Sequence, residues 1–151
     1  MIIRPATASE IPVLRALEQN VVEAERPFND AIRQDGAIYY DIEDLISSDA
    51  SCLLVADVDG EIIGTGYVQI RGSKPCFSHD QHAYLGFMFV SPEHRGKRVN
   101  ATIVEHLINW SSERGVKDCY LHVYADNAPA IRAYEKAGFD SLMVEMKLSV
   151  D

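Results

Sequence analysis

The sequence has no apolar stretch of membrane-spanning length. The longest uncharged run, "AYLGFMFVSP", falls far short of the roughly 18 apolar residues that a span needs. The opening "MIIRPATASEI" carries Arg4 and Glu10 where a signal peptide would carry an apolar core. Positive charge is also short: 14 Lys plus Arg stand against 23 Asp plus Glu, a net charge of -9, which leaves no broad basic face for nucleic acid or an anionic membrane. Cysteine is scarce, and Cys52, Cys76 and Cys119 show no C-x-x-C spacing, as expected of reduced thiols in a cytoplasmic protein. No internal repeat occurs, and neither G-x-x-x-x-G-K-[ST] nor G-x-G-x-x-G is present, so the common loops for nucleoside triphosphates and NAD are excluded. His79, His82 and His122 have no carboxylate or thiol partner at ligand spacing, so no metal site is expected.

What remains is an ordinary globular composition, 47% hydrophobic and 25% charged over 151 residues, the usual size of one domain spanning 1–151. "TASEIPVLRALEQNVVEAER" begins with the capping pair Thr7 and Glu10 and places Ile11, Leu14, Leu17 and Val21 at helical spacing. A second, shorter helix is expected in "YYDIEDLISS", around Ile42, Leu45 and Ile46. "SCLLVADV" and "EIIGTGYVQI" flank Asp59-Gly60 and predict a hairpin with a type I′ turn. "AYLGFMFV" reads as a central strand buried on both faces. Val99, Ile103, Leu107 and Trp110 mark one face of a long helix capped at Gly115, with Trp110 expected in the core. "DCYLHVY" is a further strand, "NAPAIRAYEKAGF" a helix, and "SLMVEMKLSV" a last, alternating strand whose edge is open to a second copy, as in a homodimer. The order β-α-α-β-β-β-α-β-α-β predicts an α/β (α+β) fold, a mixed central sheet of about six to seven strands flanked by about four helices.

In this acidic chain the stretch "PEHRGKRVN" is an exception, because Arg95, Lys97 and Arg98 crowd around Gly96 between a strand and a helix N-terminus. Unpaired N–H groups at a helix start bind phosphate without any dedicated side chain, and a glycine lets the anion approach the main chain. The run "YLGFMFVSPEHRGKRVNATIVEHL" resembles the pyrophosphate-binding motif of the GNAT superfamily of acyl-CoA N-acyltransferases. "YADNAPAIRAYEKAGF" is similar to that superfamily's second motif, with Asn127, Ala130, Tyr134, Gly138 and Phe139 in register. The chain departs from the loop pattern at Arg98 and Asn100, where small residues are usual, and it has no carboxylate in "LGFM".

The resemblance implies an acetyltransferase that uses acetyl-CoA and releases coenzyme A after direct attack by a small-molecule or peptidic amine. It implies cofactor contacts from Met88, Phe89 and Val90, from the loop Arg95, Gly96, Lys97, Arg98, Val99, Asn100 and Ala101, and from Asn127 and Ala130. Main-chain N–H groups around Met88 and Val90 would polarise the thioester, a type of contribution typically about 3 to 4 kcal/mol. Tyr134 is the implied general acid for the departing thiolate. Holding a lysine-like amine neutral at pH 7 costs about 4.6 kcal/mol, so a base is wanted. Glu25, with Glu23 as its neighbour, is the first candidate, and the three histidines are the second. Tyr39 and Tyr40 either line the acceptor pocket or pack. A GNAT-like module that binds acyl-CoA or a partner without turnover is the alternative.

Overall fold

The computed structural model describes residues 1–151. Strand β1 (Ile2–Pro5) runs through a short turn into helix α1 (Ile11–Glu25), and the Thr7 N–H donates to the Glu10 carboxylate at 2.8 Å, as the capping pair predicts. Helix α2 (Ile42–Ser47) starts where Asp41 accepts the N–H of Asp44 at 3.1 Å. Strands β2 (Ser51–Val58), β3 (Glu61–Gly72) and β4 (Gln81–Val90) follow, then α3 (Val99–Glu113), β5 (Cys119–Tyr120) and α4 (Ala128–Lys136). Asp59 and Gly60 both take positive φ, 51° and 88°, so the β2–β3 turn is the expected type I′ hairpin.

The sheet has the order β1-β2-β3-β4-β5, antiparallel up to β4 and parallel between β4 and β5. The GNAT-like α/β architecture and element order are as expected, but the strands number five rather than six or seven. The missing strand is "SLMVEMKLSV": its alternation is real, yet no neighbouring edge accepts its backbone groups, and a strand exists only through pairing.

Side chains alternate across the sheet into two cores. Leu54, Ala56, Ile63 and Val68 pack with Val99, Ile103, Val104 and Leu107 of α3. Leu53, Val55 and Tyr67 pack on the opposite face with Leu14 and Val21 of α1 and Ile42 and Leu45 of α2. Strand β4 serves both cores by changing parity partway. Ala83 and Leu85 belong to the α3 side, whereas Phe87 and Phe89 belong to the α1 side. A bulge causes the switch: Tyr67 pairs with Gly86 and Thr65 with Phe89, so two residues of β4 oppose one of β3. Phe87 accordingly takes φ 53°, and its carbonyl accepts the buried Thr65 hydroxyl at 2.7 Å. The expectation that β4 is buried on both faces therefore holds through a break in register rather than through uniform burial. Trp110 departs from expectation, standing half-buried at the rim with the Arg114 guanidinium 3.7 Å above its ring.

Candidate active site

Two strands that should pair for their whole length pair at only two points. β4 meets β5 at Ala83–Cys119 and Tyr84–Tyr120, and beyond Tyr84 residues 85–90 have no neighbour on that side. The gap opens just before the bulge that turns β4, leaving Met88, Phe89 and Val90 without a strand neighbour on the β5 side.

Past Val90 the chain enters the basic turn. Gly96 has φ +77°, and no atom lies within 4 Å of where a side chain would begin, so the main chain there faces open space. The first N–H of α3 with a helical acceptor is that of Thr102, bonded to the Arg98 carbonyl at 3.0 Å. The N–H groups of Val99, Asn100 and Ala101 therefore point off the helix end. Arg98 takes φ 64° as N-cap and directs its guanidinium to Glu105 at 3.4 Å, along α3 and outward, so it need not narrow the turn. Val99 sends its side chain into the core, which leaves only its main chain for a ligand. Arg95 donates from Nε to the Val90 carbonyl at 3.1 Å, tying the turn to the end of β4. Lys97 is exposed.

The other wall is built from α1. Glu18, 1% exposed, accepts the N–H groups of Tyr39 at 2.9 Å and Tyr40 at 2.8 Å, while Gln19 donates to the Ala37 carbonyl and Arg15 to that of Tyr40, each at 2.9 Å. Three side chains of one helix thus strap residues 37–40 in place. Tyr40 stacks on Phe87 with ring centres 4.6 Å apart, so it packs. Tyr39 presents a buried hydroxyl with no hydrogen-bond partner, beside the Glu25 carboxyl and a hollow of about 330 Å³ bounded by Ile32, Arg33, Gly36 and Ile38. A smaller hollow at Cys52 and Trp110 lies away from this region.

Burial raises the Glu25 carboxyl above its ordinary value, partly opposed by the Tyr39 hydroxyl. Burial, and after it the Glu25 charge, raises the Tyr134 phenol to about 12. Tyr134 packs against the α3-side core and meets Phe139 edge-on at 6.0 Å. The Tyr84 charge adds to the raising of its phenol. Asn127 caps α4, its side-chain oxygen accepting the Ala130 N–H at 3.4 Å, and this holds Ala130 and Tyr134 on one face. Glu23 is exposed and paired with Arg26 at 2.9 Å.

Of the three candidate histidines, His122 has its ring 5.2 Å from that of Tyr84. His79 and His82 share Ser73 at the far end of β4, at 2.7 and 3.0 Å, and His79 also reaches the Tyr120 hydroxyl at 2.8 Å. Sequence reasoning missed Glu18 and Thr65. Glu18 carried a signal, an acid within the apolar stripe of Leu14 and Val21; Thr65 carried none, because the bulge it serves is a product of pairing.

A family model described as Acetyltransferase (GNAT) family matches residues 18–139. The "Probable N-acetyltransferase camello" of Xenopus laevis is 30% identical over 105 residues, 69% of this chain and 46% of that protein, so the chain spans about half the length of this relative. Among solved structures, a tetramutant of the BH1408 protein from Bacillus halodurans has a TM-score of 0.86 at 23% identity, covering 99% of this chain and 100% of that one. A predicted acetyltransferase from Clostridium acetobutylicum, solved with acetyl-CoA, has a TM-score of 0.76 at 18% identity, covering 98% and 95%. With a family match across most of its length and a fold shared from end to end, this chain belongs to the Acetyltransferase (GNAT) family.

Proposed function

We propose that the protein is an N-acetyltransferase that moves an acetyl group from acetyl-CoA to a primary amine. The observation that carries this reading is the gap between β4 and β5, where residues 85–90 of β4 have no neighbour on the β5 side. The open main chain at Gly96 and the free N–H groups of Val99, Asn100 and Ala101 fit a diphosphate, with Arg95 and Lys97 adding charge. The β5-facing edge of Met88, Phe89 and Val90, which no strand covers, fits an amide-containing arm laid along it like an added strand.

Acetyl-CoA supplies an acyl carbon already activated as a thioester. The chain's own residues then have two protons to manage. Glu25 takes the proton that the ammonium must lose, and burial makes it a stronger base than a solvated carboxylate. Tyr134, fully protonated at neutral pH, supplies the proton that the leaving sulfur must gain. The Tyr39 hydroxyl orients the incoming amine beside Glu25. Ten acids against four bases in the first 50 residues favour a cationic acceptor, either a small polyamine or a peptide.

The test is thiol release from acetyl-CoA against a panel of polyamines and lysine peptides, with Tyr134→Phe in parallel. The variant should lose about 100-fold or more in kcat while keeping its affinity for coenzyme A. Tight coenzyme A binding without transfer to any amine would favour the binding-module reading instead.

A further inference from the structure

One cation of this acidic chain stands at the head of the gap with no acid to answer it. Arg71 lies near the end of β3 at the same parity as Tyr67, so its side chain is on the α1-side face of the sheet. Its guanidinium stacks 4.1 Å above the ring centre of Tyr84. Tyr84 pairs with Tyr120 at the last contact of β4 with β5, so Arg71 marks the point at which the two strands part. Its neighbours on that face carry no negative charge: His82 is its partner in the β3–β4 register, Gln69 precedes it along the strand, and the His122 ring is 5.2 Å from that of Tyr84.

The guanidinium is also oriented. Its Nε donates to the Gln69 side-chain oxygen at 2.8 Å, and no carboxylate lies within ion-pair distance of it, whereas Arg4, Arg15, Arg26 and Arg98 are each paired with an acid. A guanidinium held against an aromatic ring presents Nη1 and Nη2 as a planar fork, which takes a carboxylate through two parallel hydrogen bonds. The local surplus of positive charge is felt at His82, whose imidazole is held below its ordinary value first by burial and then by His79 and Arg71. On the same face, Tyr39, Tyr40, Tyr67 and Tyr84 follow one another with ring centres 5.6, 5.8 and 6.4 Å apart, so a continuous aromatic layer joins the Glu25 end of the site to Arg71.

We propose that Arg71 anchors a carboxylate of the acceptor, so that the substrate is a short peptide with a free C-terminus rather than a polyamine. This rests on the acetyltransferase reading, in which the amine end lies beside Glu25 and Tyr39. A polyamine, cationic at both ends, would meet Arg71 with like charge. Calorimetry with coenzyme A bound, on alanine peptides of two to four residues as free acids and as C-terminal amides, reads the carboxylate alone. The free acid of the best length should bind about tenfold more tightly than its amide, and Arg71→Gln should abolish the difference. Thiol release from acetyl-CoA with the same pairs should show it as a lower KM for the acid. Equal affinity for acid and amide, no binding of either, or a preference that survives Arg71→Gln overturns the proposal. The preference without acetyl transfer would instead strike the acetyltransferase reading and leave the carboxylate site standing. Arg71 is exposed, so the variant folds, and circular dichroism checks that it has.

Discussion

The Glu18 carboxylate accepts the Tyr40 N–H at 2.8 Å from within the buried stripe of α1, one helical turn beyond Leu14. The neighbouring Tyr39 N–H donates to the same oxygen at 2.9 Å, so one buried acid holds a loop of the candidate acceptor wall. Glu18→Ala leaves both donors without a partner and should cost about 3 kcal/mol, at about 1 to 3 for each buried group. Glu18→Gln retains an acceptor oxygen and should cost less. Urea unfolding of both variants checks the order, and an alanine variant as stable as wild type would remove Glu18 from its role.

The bulge in β4 should be equally sensitive. A Cβ on Gly86 would sit 2.6 Å from the Tyr67 ring, closer than any relaxed contact. Gly86→Ala is therefore expected to destabilise by about 1 to 3 kcal/mol. Tyr67→Leu removes the obstructing ring, so the double variant should be more stable than the sum of the single losses predicts. Strict additivity in a double-mutant cycle would show that the ring is not the obstacle.

Acid stability should depend on Glu10. The hydrogen bond from Arg4 holds its carboxyl down to about 2, with Thr7 helping, against roughly 4.3 in an unfolded chain. A lowered folded value means that the stabilisation is complete above the unfolded pKa and is lost as pH falls from about 4.3 toward 2. Glu10→Gln should lose stability at neutral pH and show a flatter decline across that window. Melting temperatures measured from pH 7 down to pH 2 test this, and parallel curves for the two proteins would contradict it.

Catalysis should depend on pH through Glu25. Because burial raises its carboxyl, the acidic limb of kcat/KM should lie above the roughly 4.3 of a free glutamate. Activity is expected to fall below that limb as the carboxylate takes up its proton. Glu25→Gln should erase the limb, whereas Glu23→Gln, which alters only an exposed pair with Arg26, should leave it in place. Superimposable profiles for all three proteins would assign the base elsewhere, with His122, beside Tyr84, the next candidate.

Much of this molecule was legible in the chain because it rests on local rules. The Asp59-Gly60 turn, the capping pair Thr7 and Glu10, and the spacing of Val99, Ile103 and Leu107 each depend on neighbours within a few residues, where backbone sterics and side-chain reach leave little choice. The basic turn at Gly96 and the face shared by Ala130 and Tyr134 are local in the same sense. Tertiary structure alone decided the parity switch at Phe87, because a bulge is a mismatch between two strands and has no meaning in one. It also decided the surroundings of two acids that are alike in sequence: Glu23 is exposed and paired with Arg26, whereas burial raises the Glu25 carboxyl. The final alternating segment marks the limit from the other side: its pattern is that of a strand, yet a strand forms only where a neighbouring edge pairs with it, and here none does.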